Sequence, residues 1–261
     1  MKTVKILKKQ AKSSLGGKWI TAVAGLLAVF SAALLVYLFY ATFGWISGAF
    51  LVESAQEVDV VVIIKLLVIF GLTFLLAFAL MPIINGFFRL CYNIANGREA
   101  NFADVFYFFK GTKLYFKAVQ FNVFTTSKLL AAYFITFLGY NIHRISVIEA
   151  TIGNNPSFII TRSVFFAYGF ALFLLFFIRI IFSEFIFVDN ENARISDISR
   201  ATKVIFNHHQ IDIILLNYSF IPWIALSFFV IPLLYVIPYM ATTIATSAKW
   251  LLKLYKEGKL V

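Results

Sequence analysis

Apolar residues fall along this chain in long runs parted by short polar stretches. Strands would alternate every second residue, so runs of this length predict helices. A helix needs about 20 apolar residues to cross the roughly 30 Å of bilayer hydrocarbon, and its backbone then satisfies its own hydrogen bonds. Six spans are predicted on that basis, at 19–45, 60–84, 118–139, 163–185, 211–230 and 232–251. The first run, Trp19 to Ile46, exceeds the apolar region of a signal peptide and reads as a retained span. Ile211 to Ala248 is nearly continuous and contains Pro222, Pro232 and Pro238. As one helix it would be about 57 Å long, so two readings stand: a tight reversal near Pro232, or a bent single helix.

Three polar stretches carry a helical stripe of their own. Val4, Leu7, Ala11 and Leu15 share one face, opposed by Lys5, Lys8, Lys9 and Lys12. Phe102, Val105, Phe106, Phe109 and Phe116 follow the cap candidate Asn101, with Asp104, Lys110 and Lys113 between them. Ile195, Ile198, Thr202 and Ile205 are opposed by Arg194, Asp197, Arg200 and Lys203. Each reads as an interfacial helix whose basic residues meet anionic headgroups. Their recurrence before spans predicts three repeated units, 1–85, 98–188 and 193–256, although any span entering from the cytoplasm attracts a basic lead-in. The expected fold is therefore all-α: one polytopic membrane helical bundle over 1–261, with six transmembrane helices and three amphipathic ones.

Composition fits a lipid solvent. Of 261 residues, 61% are hydrophobic and 13% charged, with 32 Phe, which excludes disorder and disfavours a water-soluble domain. The net charge of +11 would elsewhere invite a nucleic acid, but the lysines flank apolar runs, so membrane lipids are the expected partner and nucleic acid is not. Six lysines precede Trp19, and further basic residues gather in 86–117, 190–210 and 249–261, against Arg144 and Arg162 on the other side. The positive-inside rule then places both termini in the cytoplasm of a multi-pass plasma-membrane protein. Glu53, Glu57 and Asp59 fall in the first outer loop under this assignment.

Several pieces resemble a bacterial integral membrane family catalogued as domain of unknown function 975. Ala11-Lys12, Leu15, Gly17 and Trp19 resemble its A-K-x-x-L-x-G-x-W opening, and Asp104 to Lys110 resembles D-L-F-x-G-F-K with Phe108 at the glycine. Asp189-Asn190, Ile198 and Ile205 to His208 are similar to D-N-P, A-I and M-K-G-H, with Glu191 at the proline and Asn207 at the glycine. Ser219 to Trp223 resembles S-F-I-G-W, and Pro238-Tyr239 a late P-Y pair. The resemblance implies a multi-span membrane protein and assigns no activity to any residue.

Chemistry has few carriers. Lys128 lies near the middle of the third span, beyond easy snorkelling, after the polar group Gln120, Asn122, Thr125, Thr126 and Ser127. Arg179 and Glu184 lie in the fourth span. Lys128, Asn122, Arg179 and Glu184 form a candidate polar site for a small anionic solute or headgroup; the alternative is buried pairing that fixes helix order. Lys65, near the outer end of its span, reads as an interface anchor. His208-His209 lacks converging ligands for a metal, Cys91 lacks a neighbouring base, and no nucleotide-binding signature is present. No catalytic residue and no cofactor is expected. Two functions follow. One is a noncatalytic protein that organises membrane or a protein partner through Lys5, Lys8, Lys9, Lys12, Lys110, Lys113 and Lys203. The other is a small transporter or permease component built around Lys128.

Overall fold

The computed structural model describes residues 2–47, 60–141, 156–226 and 230–259. Helix α1 (Lys2–Leu15) ends at Gly16-Gly17, where Gly17 takes a left-handed φ of 74° and turns the chain into α2 (Trp19–Ile46). Helix α3 (Val60–Leu80) passes at Met81 into α4 (Pro82–Ala95), whose first residue is a proline, where the missing N–H costs nothing. A 3-10 helix (Phe102–Phe109) follows, opened by a capping box between Asn101 and Asp104. Next come α5 (Thr112–Asn141), α6 (Pro156–Asp189), α7 (Ile195–Tyr218), the short α8 (Ile221–Leu226) and α9 (Val230–Lys256).

The described residues are all-α, but they hold three helices long and apolar enough to cross a membrane, not six. These are Trp19–Ile46, the continuous Val60–Ala95, and Phe166–Asp189. Leu34, Leu35 and Leu38 on α2 and Ile64, Leu67 and Phe70 on α3 are exposed, large apolar side chains of the kind that lipid would cover. The predicted third, fifth and sixth spans do not meet that requirement of length and apolarity among the described residues, and each carries polar residues within it. Within the predicted third span, α5 carries Gln120, Asn122 and Lys128. The predicted fifth span is cut, because α7 stops at Tyr218 and is capped at Ser219. Helix α9 turns Thr242, Thr243, Thr246 and Ser247 inward. Pro232 sits inside the first turn of α9, so it marks no reversal, and no single helix covers 211–248.

The lead-ins also differ from expectation. Ala11 and Leu15 of α1, Val105 of the 3-10 helix, and Ile198 and Ile205 of α7 are buried in the protein core. The stripes of α1 and α7 therefore meet protein where a leaflet was expected, whereas Phe102, Phe106, Phe109 and Phe116 of the second stripe stay exposed. A 14-residue α-helix, an eight-residue 3-10 helix and the start of a 24-residue helix kinked at His209 are three different structures. The repeated-unit expectation is corrected accordingly. Glu53, Glu57, Asp59, His143 and Arg144 lie outside the described residues, as does the side chain of Arg162.

The core has an aromatic spine. Phe108 stacks on Phe187 with ring centroids 5.3 Å apart, and Phe187 on Phe121 at 4.5 Å. Phe108 is fully buried, so the position where the resembling motif has glycine is here filled by a ring.

Candidate functional site

Helices α5 and α6 run antiparallel: Phe121 faces Phe187, and two turns further along Lys128 and Arg179 line one cavity. Between these pairs lies a sealed polar cluster. Asn85 of α4 and Asn122 of α5 exchange amide hydrogen bonds, Nδ2 of each donating to Oδ1 of the other at 3.1 and 2.7 Å. Asn85 Nδ2 also donates to Glu184 Oε2 of α6 at 2.6 Å. All three side chains are buried. Each bond satisfies a polar group that would otherwise stand in a low-dielectric interior, so the cluster pins three helices in register.

The cavity is a different kind of site. It holds about 210 Å³ and is lined by Lys128 of α5, Arg179 of α6, and Ser199 and Lys203 of α7, over apolar walls that include Phe124 and Phe176. Lys128 Nζ donates to Ser199 Oγ at 3.3 Å and lies 3.9 Å from the centre of the Phe124 ring. The Arg179 guanidinium sits over Phe206 at 4.7 Å, and its Nη2 reaches Asn207 Oδ1 at 3.4 Å. No carboxylate lines it. The four residues of the expected polar site are thus divided: Lys128 and Arg179 face the cavity, while Asn122 and Glu184 face each other's partner, Asn85.

A third set of polar groups ties the basic end of the molecule. Arg89 of α4 pairs with Glu191 at 2.9 Å and stacks over Tyr107 at 3.4 Å, while the Tyr107 hydroxyl donates to the other Glu191 oxygen at 2.7 Å. Burial and the Glu191 carboxylate push the Tyr107 phenol above its ordinary pKa. Asp189 accepts from Tyr92 at 2.7 Å and from Lys256 at 2.6 Å. Lys18 Nζ donates to the Arg98 carbonyl at 2.7 Å, bringing the start of α2 to the same end.

The basic residues expected to meet headgroups separate too. Lys5, Lys9, Lys12, Lys110 and Lys113 are exposed. Lys8 instead turns inward, donating to the Ser219 carbonyl at 2.8 Å and lying over Phe220, and this burial lowers its pKa. Lys203 is exposed yet lines the cavity. Lys65 reaches the Ser47 carbonyl at 3.2 Å, near the end of α2. Cys91 is completely buried beside Leu26, Phe87 and Ala241, where no substrate reaches it. Among the described residues, no three His, Cys, Asp or Glu side chains converge as metal ligands.

A family profile matches residues 1–249 of this chain, under the description of a protein of unknown function, DUF975. The chain belongs to the DUF975 family. No curated protein and no solved structure matches it. The motif pieces in this DUF975 chain have structural work: Asp104 closes the capping box and accepts from Asn93, Asp189 accepts from Tyr92, and Tyr239 packs on Phe220. Asn85, Ser199 and the Arg89–Glu191 pair were missed by the sequence reading. For Asn85 a signal existed, a lone amide inside a long apolar run. For the other three none did, since their partners lie far off in sequence.

Proposed function

We propose that this DUF975 protein is a noncatalytic, multi-pass membrane protein that holds its basic end against the anionic cytoplasmic leaflet, where it gathers lipid or a soluble partner. The observation that carries this reading is an aromatic row beside exposed lysines. Phe102, Phe106, Phe109 and Phe116 are exposed, Phe116 by 67%, next to Lys110 and Lys113. Rings at this height gain by entering the headgroup boundary while the lysines meet phosphates. Further support comes from Lys18 and Lys256, which bring the start of α2 and the end of α9 to one end. The positive-inside rule puts that end in the cytoplasm. The second reading, a small transporter or permease component, has one supporting observation, the cavity at Lys128.

The test uses the full chain in nanodiscs that mix phosphatidylcholine with phosphatidylglycerol, reading the anionic fraction among lipids immobilised on the protein. Each lysine near an anionic surface contributes about 1 kcal/mol, so Lys110→Gln/Lys113→Gln should remove about 2 kcal/mol of the preference. Phe106→Ser/Phe109→Ser should loosen both lipids alike. Equal immobilisation of neutral and anionic lipid by the unaltered protein would end the proposal.

A further inference from the structure

Positive charge collects in the α5–α6–α7 cavity with nothing negative to meet it. Lys128, Arg179 and Lys203 come from three different helices, and none of them forms an ion pair among the described residues. Arg179 Nε is buried without a hydrogen-bond partner, although the guanidinium carries five donors in a fixed fork. Its one bond from Nη2 is long. Packing cations together in a partly buried space is unfavourable unless an anion completes the arrangement. The surrounding groups agree with that polarity. Ser183 and Thr202 spend their hydroxyl protons on the Ile180 and Ile198 carbonyls of their own helices, whereas Ser199, which accepts from Lys128, keeps a proton to donate.

We propose that this cavity binds a phosphate monoester. Arg179 and Lys128 hold the dianion from one wall, and Ser199 and Lys203 of α7 close on it from the other. A phosphate monoester presents oxygen acceptors in several directions, which suits one planar fork and two compact ammonium groups better than a single carboxylate does. Three positive charges also match a dianion more closely than a monoanion. The cavity's 210 Å³ is far more than the ~15 Å³ that one water requires, so the esterified group has room against Phe121, Phe124 and Phe176. A lipid headgroup and a soluble phosphorylated solute share this chemistry. The site stands apart from the surface reading above, because neither Lys110 nor Lys113 lines it.

The experiment places the full chain in phosphatidylcholine nanodiscs and titrates two probes by calorimetry, glycerol 3-phosphate and short-chain phosphatidic acid. At least one should bind. A charge-assisted hydrogen bond lost from a desolvated site weakens binding about tenfold or more, which is the expectation for Arg179→Gln and for Lys128→Met. The more exposed Lys203→Gln should cost about threefold. Arg179→Lys keeps the charge without the fork and should fall between, and it carries the test should Arg179→Gln fail to fold. Lys110→Gln/Lys113→Gln should leave the glycerol 3-phosphate titration unchanged, which separates this site from the leaflet contact. Binding of both probes alike assigns the site to the phosphate group itself, and binding of phosphatidic acid alone assigns it to lipid. Absence of binding by either probe up to millimolar concentration overturns the proposal, as does an affinity unaltered in Arg179→Gln and Lys128→Met.

Discussion

Two polar clusters that share helices α5 and α6 sit within about two helical turns of each other, and they obey opposite rules. Asn85, Asn122 and Glu184 are sealed and mutually bonded. Lys128, Arg179 and Lys203 border open space, carry like charge and leave a donor unspent. The first arrangement is complete without a ligand, and so it serves the fold. The second becomes complete only when something negative arrives. Removing a member should therefore damage the protein in one case and its binding in the other.

The most damaging way to break the sealed cluster is indirect. Gly86 adjoins Asn85, and its backbone rests on the 3-10 helix so closely that a Cβ would collide with the Val105 carbonyl oxygen. Backbone does not yield as a side-chain tip does, so Gly86→Ala should push α4 away and carry Asn85 out of register. A loss of about 4 kcal/mol or more is expected, from overpacking and broken hydrogen bonds together. Detergent-resistant folded protein, followed by size-exclusion chromatography and thermal unfolding, should be scarce. A Gly86→Ala protein as stable as the original would show that α4 is not held there.

Direct removal comes next. Asn85→Leu keeps the approximate volume but strands Asn122 and Glu184, each without its donor, and should cost about 2 to 4 kcal/mol. Replacing all three, as Asn85→Leu/Asn122→Leu/Glu184→Met, should recover most of that loss, because an apolar set leaves nothing unsatisfied. Chemical denaturation of the two variants side by side decides the matter. If the triple variant is no more stable than the single one, the cluster is not a closed unit.

The open cluster should respond in the other direction. Lys128→Met removes one of the cavity's like charges and loses a long bond to Ser199, so the two effects nearly cancel. Stability should change by less than about 1 kcal/mol. An unfolding loss as large as that of Asn85→Leu would make Lys128 a structural residue and erase the contrast.

How much of this the sequence disclosed depends on what each residue faces. Helices α2 and α3 and the later part of α6 are recognisable because a surface against lipid must be apolar all round. Helices α5, α7 and α9 mislead for the converse reason. Their sequences hold long apolar stretches, yet residues such as Asn122, Thr202 and Thr243 are buried inside the protein, where no single-helix pattern places them. Likewise the stripe Ala11–Leu15 announces an amphipathic helix but not whether its apolar side meets a leaflet or α9. Lys128 and Arg179 were conspicuous as charges in apolar surroundings. Lys203 was recognised as an anion-seeking lysine and assigned to a surface, since its place on the cavity depends on how α7 packs.

The Arg89–Glu191–Tyr107 contact lies between the two extremes, charged and paired but only partly buried, and its pH dependence is a small effect. Its phenol is held above the ordinary value near 10 by burial and by Glu191. The folded protein therefore keeps the Tyr107 proton at a pH where the unfolded chain has released it. Fewer protons bound in the unfolded state means that stability falls as pH rises. The contribution is intact below about pH 10 and is lost above it. Tyr107→Phe removes this linkage together with one hydrogen bond, at about 1 kcal/mol near neutrality, and leaves the Arg89–Glu191 pair in place. Solvent around the partly exposed partners keeps the pH-dependent part modest. Between about pH 9 and 11 the unfolding midpoint of the original protein should drop more steeply than that of Tyr107→Phe, so that the two curves approach one another. Curves that stay parallel across that window would mean the phenol titrates alike in both states, and the contact would then belong with the open cluster, exposed and exchangeable.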